Sequence, residues 1–391
     1  MTSRPARIKE LDLHTAQGAA GELVRESQFV TRYSREASTN PSRALSLTMP
    51  VRATPYTANR IPPILAMNLP EGYLLDLVTS RYQKVMDVRD EMNLLALTST
   101  PTSGRVWARM RDQEQKSPEA SVTLKEILSA KGTEELFDEL VEKFALSTSL
   151  AGVMPKVAVV ERAQLHTRDL IVKSGAAEYP GLAENEYLCM SIAKAAGLEV
   201  PEFWLSDDRK LFVVRRFDVA VDGTHLGFED MACLTGRMPD EKYRGNYANI
   251  ALAIQDRVPS AGQAASLRRY FRQLVLCVIL RNGDAHLKNW GILYRDPVTA
   301  REDARLSPAY DIVCTTPYIK GDVLALGLQG SKAWPDRKTL EAFARDRCGL
   351  TNPGAMIDEL LDVALHFRPQ EDSPVWQQVR AALKGACSTL R

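Results

Sequence analysis

Apolar residues at helical spacing dominate the C-terminal half of the chain. Leu267, Tyr270, Phe271, Leu274, Val275, Val278 and Ile279 predict a buried helix that runs straight into the polar stretch starting at Asn282. Beyond that stretch, Trp290-Gly291-Ile292-Leu293-Tyr294 reads as a short strand, so the polar residues sit on a helix-to-strand loop. Ile357, Leu360, Leu361 and Ala364, and then Trp376, Val379, Ala382 and Leu383, predict two later helices. Upstream, strands are expected at Val157 to Val160, Leu170 to Val172 and Leu211 to Val214. A helix of about Glu184 to Ala196 stands between the last two, stopped by Gly197 with Pro201 beyond. After Phe217 the pattern becomes largely helical.

The first 110 or so residues are less periodic. Leu45, Leu47 and Met49 alternate as a strand would before Pro50 stops them, among turn-rich stretches. A Pro-bounded apolar run from Ile64 leads toward a helix near Tyr73, and Thr98 to Gly104 reads as a loop or boundary. From Leu124 to Leu146, two short amphipathic helices separated by Lys131-Gly132-Thr133 look like a connector.

Composition narrows the class. A chain of 391 residues has room for two or three domains. Lys and Arg number 50 against 49 Asp and Glu, so no global field argues for nucleic acid or an acidic membrane as main partner. Six scattered cysteines form no CxxC pair, which argues against a zinc or disulfide framework. With no membrane-length apolar run and no apolar signal core after Met1, a cytoplasmic protein without membrane association is expected.

The chemistry concentrates in Asn282-Gly283-Asp284-Ala285-His286-Leu287-Lys288-Asn289. Asp284 and Asn289 stand five positions apart, the arrangement phosphoryl transfer needs: a carboxylate to deprotonate an attacking hydroxyl, then an amide oxygen to reach a magnesium ion held by ATP phosphates. The competing interpretation is a turn in which Gly283 supplies positive φ and Asp284 caps a neighbour. Asp311, closing Leu306-Ser307-Pro308-Ala309-Tyr310, offers a second magnesium ligand. Lys173, ending the strand Leu170-Ile171-Val172, suits a phosphate-cradling lysine or a surface strand end. Glu186, or alternatively Glu184, could pair with it, and both also suit a helix N-terminus. Phe217, at the change from mixed to helical character, could stack on adenine or pack in the core. His286 either touches a phosphate or orders the loop, and Lys288 either neutralises transferring phosphate or is solvated.

These motifs, in their order, resemble the HipA toxins, serine/threonine kinases of bacterial toxin and antitoxin pairs. The similarity extends to Ser149 to Lys156, Glu184-Asn185-Glu186-Tyr187, Arg216-Phe217-Asp218, Phe228-Glu229-Asp230, Leu45 to Pro50 and Asn68 to Gly72. It implies an α+β, two-lobed protein-kinase-like fold. Residues 1–110 would be an added N-terminal subdomain, 111–217 a connector and mixed N-lobe, and 218–391 a mainly helical C-lobe. It also implies Asp284 as base, Asn289 and Asp311 as magnesium ligands, and Lys173 with Glu186 as the phosphate-positioning pair, with ATP and Mg2+ as cofactors. The substrate class would be an aminoacyl-tRNA synthetase, notably the glutamyl-tRNA synthetase. The implied partner is a HipB-like helix-turn-helix antitoxin, through which alone the chain would meet DNA.

The chain departs from that pattern in places. No glycine lies between Val157 and Lys173, so the phosphate loop, about Arg162 to Asp169, lacks the residues that let backbone N–H groups approach phosphate freely. Thr167 is the hydroxyl there, where relatives carry a self-phosphorylated serine, and Arg215 replaces a glutamate frequent in relatives. Two other functions compete: a small-molecule phosphotransferase, which also uses Asp-x-His-x-x-Asn, and a catalytically weak nucleotide-binding co-repressor acting with an antitoxin.

Overall fold

The computed structural model describes residues 7–83, 86–97, 103–111, 123–129, 163–166, 169–174 and 179–391. The expected strand Val157 to Val160, the second connector helix, the segment Ser149 to Lys156 and Thr167 lie outside the described residues. Three antiparallel sheets organise the rest.

The N-terminal subdomain is a five-stranded sheet in the order β4-β3-β2-β1-β5, built from β1 (Glu10–Thr15), β2 (Gly18–Arg25), β3 (Phe29–Tyr33), β4 (Tyr56–Ala58) and β5 (Val106–Arg109). Its inward face supplies Leu11, Leu13, Leu23 and Val106, and helices Gly72–Tyr82 and Glu91–Leu97 accompany it. One expectation is corrected here. Leu45, Leu47 and Met49 do not form a strand: the Met49 N–H donates to the Ser46 carbonyl at 3.1 Å, closing a tight turn. The buried Glu229 carboxylate holds that turn, accepting from Ser46 Oγ at 2.5 Å and from the Leu47 N–H at 2.8 Å. Alternating apolar residues flanking a turn imitate strand periodicity without pairing.

The second sheet orders β6 (Ala163–His166), β7 (Leu170–Ser174), β9 (Leu211–Arg215) and β8 (Phe203–Leu205) as β6-β7-β9-β8. Helix Leu182–Ala195 packs on it and ends as expected, with Gly197 left-handed at φ 70° and the Leu198 N–H donating to the Ala193 carbonyl at 3.0 Å. The third sheet, β10 (Gly227–Asp230), β11 (Gly291–Tyr294) and β12 (Arg305–Leu306), lies within the helical lobe. Asp230 caps the short helix Met231–Leu234 through the Cys233 N–H at 2.7 Å.

Helices Tyr247–Arg257, Ser260–Ile279, Arg337–Cys348, Pro353–His366 and Pro374–Leu390 complete the lobe around Tyr270, Phe271, Leu274, Val275 and Trp290. The architecture is α+β and two-lobed. All six cysteines are free and buried, the surroundings of small core residues. No helix among the described residues is long and apolar enough to cross a membrane.

Candidate active site

Helix Ser260–Ile279 is apolar on nearly all sides of its second half, and its stop creates the site. Arg281 takes the left-handed conformation, φ 54°, that usually falls to glycine; its N–H donates to the Val278 carbonyl and that of Asn282 to the Cys277 carbonyl at 2.8 Å. The buried Asn282 side chain then accepts from the Asp284 N–H at 3.1 Å, an Asx turn that projects Asp284 from the helix end. Gly283 is not in the left-handed region, which corrects that part of the turn interpretation. Its role is proximity: a Cβ there would meet Asp322 Oδ2 at 2.1 Å. Asp322 is itself held by the Thr315 hydroxyl, which also accepts from the Gly283 N–H at 2.7 Å.

The loop continues as a single turn, Leu287–Asn289. The His286 N–H donates to Asn289 Oδ1 at 2.8 Å, and Asn289 Nδ2 donates to Asp311 Oδ2 at 2.6 Å. Asp311 adopts φ 59°, a conformation costly for a non-glycine residue and typical of functional positions. A further residue of the Glu184 to Tyr187 stretch steadies it. Buried Asn185 clasps the segment after Asp311 from both sides, donating to the Cys314 carbonyl at 3.0 Å and accepting its N–H at 2.8 Å.

Lys173 closes the cluster. Its Nζ lies 2.6 Å from Glu186 Oε1 and 2.8 Å from Asp311 Oδ1, with both Lys173 and Glu186 buried. The choice between acids is thereby resolved: Glu184 pairs with Arg209 at 2.9 Å, and Glu186 takes Lys173. Lys173, Glu186, Asp311 and Asn289 thus form one connected chain of contacts from three distant stretches of sequence.

Asp284 accepts a hydrogen bond from the Tyr243 hydroxyl at 2.6 Å, and the Tyr243 ring meets His286 edge-on at 5.1 Å. His286 is buried, with no hydrogen-bond partner for Nδ1 among the described residues. Burial pushes its imidazole down to about 4; Asp284 opposes the shift and Lys242 adds to it. It is therefore neutral at physiological pH.

Lys288 is not solvated. It pairs with Glu71 of the N-terminal subdomain, which also meets Lys242 Nζ at 3.2 Å. Burial works against the Lys288 charge, but Glu71 and Asp230 overcome it and raise the ammonium above its ordinary range. Burial likewise works against the Glu71 charge, and Lys288 with Lys242 brings its carboxyl below the ordinary value.

Phe217 is partly buried and packs against Phe228 and Tyr310 with centroids 5.2 and 5.3 Å apart. Tyr243 carried no sequence signal, and Glu71 only its place in the Asn68 to Gly72 stretch of the resemblance, because each reaches the loop only through the tertiary fold.

Asp311 offers the hard carboxylate oxygen that magnesium takes, but Asn289 turns its amide nitrogen to Asp311 and its oxygen to the His286 N–H, so its oxygen would reach an ion beside Asp311 only after the amide turned over. No group of three or more His, Cys, Asp or Glu side chains suited to a metal occurs among the described residues.

Residues 11–109 match the HipA N-terminal domain, and residues 148–367 the HipA-like C-terminal domain. The Sinorhizobium fredii protein named "Putative kinase Y4dM" is 30% identical over 328 residues, covering 76% of this chain and 74% of that one. A second from the same organism, "Putative kinase Y4mE", is 29% identical over 304 residues, 70% of this chain and 69% of its own length. Among solved structures, the Shewanella oneidensis MR-1 HipA, HipB and operator DNA complex matches with a TM-score of 0.71 at 18% identity, over 97% of both chains. With more than half the chain matched by the C-terminal domain alone, and both domains present in order, this protein belongs to the HipA family.

Proposed function

We propose that the chain is an ATP- and magnesium-dependent protein serine/threonine kinase that arrests growth as the toxin of a toxin–antitoxin pair. The observation that carries this reading is the Lys173 ammonium held between Glu186 and Asp311, with Asn289 on the other oxygen of Asp311. Among the described residues one ammonium stands between two carboxylates, a setting that a cation would suit, and Lys173 is held where it could turn to a phosphate. Magnesium bound at Asp311 and Asn289 would supply charge neutralisation at the phosphates. Asp284 is the group that would orient the acceptor hydroxyl and take its proton.

The relatives' names support the kinase reading, and the Shewanella complex supports a HipB-like antitoxin as partner, with DNA reached through it. An aminoacyl-tRNA synthetase, the glutamyl enzyme first, is the proposed substrate. Incubating the purified protein with γ-labelled ATP, magnesium and a bacterial lysate should label a discrete protein, and expression should stop growth. Equal labelling by Asp284→Asn would overturn the assignment.

A further inference from the structure

The base of the proposed reaction is already engaged. Tyr243 Oη donates to Asp284 Oδ1 at 2.6 Å, within the distance a general base keeps from the hydroxyl it deprotonates. The phenol therefore stands where an acceptor hydroxyl would stand.

The segment carrying Tyr243 is anchored on either side. The Lys242 carbonyl accepts from the Leu287 N–H at 3.2 Å and Lys242 Nζ reaches Glu71 at the same distance, while the Tyr247 N–H donates to the Gly327 carbonyl at 3.0 Å. The Tyr247 hydroxyl also bonds the Ala285 carbonyl at 3.0 Å, tying this segment to the catalytic loop. The Tyr243 side chain is different. It is 45% exposed, and its ring meets His286 edge-on and lies 5.6 Å from Lys242 Nζ. A fixed backbone with an outward-facing ring lets the phenol leave Asp284 by side-chain rotation, without loop rearrangement.

We propose that Tyr243 is a gate on the acceptor site: its hydroxyl holds the acceptor's place at Asp284, and a serine or threonine hydroxyl must displace it before transfer. This inference rests on the phosphotransfer reading above. It assigns to Tyr243 exclusion of adventitious acceptors, water first among them. A protein acceptor brings binding contacts that offset the loss of the Tyr243 hydrogen bond, and a water molecule does not.

The test needs no knowledge of the substrate. Full-length protein is given Mg·ATP alone, so that water is the acceptor: its oxygen bonds to the γ-phosphorus, the bridging P–O bond breaks, ADP leaves, and the water proton passes to Asp284. Wild type should hydrolyse ATP slowly. Tyr243→Ala should raise the rate about tenfold, on the scale of a hydrogen bond to a charged group. Tyr243→Phe, which keeps the ring and loses the hydroxyl, should rise less, and Asp284→Asn should abolish the gain. A gain of rate is a result that structural damage would not produce, and melting temperatures check the folding of each variant.

Unchanged or slower hydrolysis in folded Tyr243→Ala, with wild type active, overturns the gate and makes Tyr243 a positioning residue for Asp284. Phosphate on Tyr243 by mass spectrometry of ATP-treated wild type overturns it as well, making the phenol an acceptor. Absence of ATP turnover in wild type and all variants overturns the phosphotransfer reading, and the gate falls with it.

Discussion

Two lysines near the catalytic loop meet carboxylates, and their surroundings differ in charge and in reach. Lys173 pairs with Glu186, 13 residues away, and with Asp311, so among the described residues one ammonium faces two acids inside the kinase-like core. Lys288 pairs with Glu71, 217 residues away in the N-terminal subdomain, and there Lys242 shares the same carboxylate while Asp230 lies near. In that second cluster two ammoniums face two acids. On the proposed function the first cluster would receive a cation and its phosphates, and the second, where charges pair off among the described residues, would hold the loop in place. The difference separates chemistry from support within a single loop.

The strongest way to break this contrast is to remove the first lysine. Lys173→Met should lower phosphate transfer by about a thousandfold or more, as expected of a phosphate-positioning group. It should also destabilise the fold by about 3–5 kcal/mol, because the buried Glu186 loses the Lys173 ammonium. Adding Glu186→Leu should restore much of the melting temperature and none of the activity. If Lys173→Met stayed within tenfold of wild type in a labelled-ATP assay, the cluster would be structural after all.

Position can be tested apart from charge. Gly283→Ala changes no charge, yet its Cβ would lie 2.1 Å from a tethered Asp322 carboxylate, so the turn that projects Asp284 must shift. A displacement near 1 Å in a catalytic group costs on the order of a hundredfold in rate. Single-turnover measurements should show that loss with nucleotide affinity retained, and wild-type rates would mean that Asp322 moves aside freely.

How far the sequence revealed all this follows the reach of each interaction. Helix Ser260–Ile279 and the loop after it were legible because periodicity and the Asp284 to Asn289 spacing are local. Lys173 with Glu186 was legible for the same reason, a strand end followed by a helix. The five-stranded sheet was not: β1 offers only Leu11 and Leu13 as buried leucines, and β2 opens Gly18-Ala19-Ala20-Gly21, with little contrast between its faces. Gly21 is there because a Cβ would meet the Arg32 carbonyl oxygen at 1.9 Å, a packing demand that leaves no periodic trace. Tyr243 and Glu71 have no spacing rule to announce them. The first joins its partner across 41 residues and the second across 217.

The supporting role of the second cluster should give a smaller effect. Glu71→Gln leaves Lys288 and Lys242 facing each other without their shared acid, and transfer should fall by about tenfold or less, with a stability loss of roughly 1–3 kcal/mol for a partly buried pair. The pH dependence has a definite sign. The Glu71 carboxyl is depressed on folding, so its contribution is present above the ordinary 4.5 and is lost as pH falls through the lower folded value. Lys288 is raised, so its contribution is complete below the ordinary 10.5 and is lost as pH rises through the higher folded value. The cluster should therefore stabilise evenly across neutral pH, and Glu71→Gln should remove part of the acid-side loss in melting temperature. A loss of a thousandfold in rate would instead place Lys288 on the transferring phosphate.

His286 lies between the two clusters and reports their balance. Burial is the main cause of its pKa near 4; Asp284 and Asp311 raise it, and Lys242 and Lys288 lower it. An imidazole depressed on folding takes up its proton in the unfolded chain first, so stability should decline as pH falls from the ordinary 6.5 to about 4 and level off below. Titration by NMR of the His286 ring should give that low value in wild type. Lys242→Gln removes a cation that disfavours the charged ring, and should raise the value by a few tenths of a unit, given the screening near a protein surface. Asp311→Asn removes an acid from the other cluster and should lower it by a similar amount. Shifts of the same sign in both variants would mean that the two clusters do not oppose each other at the loop, and the contrast between them would lose its electrostatic basis.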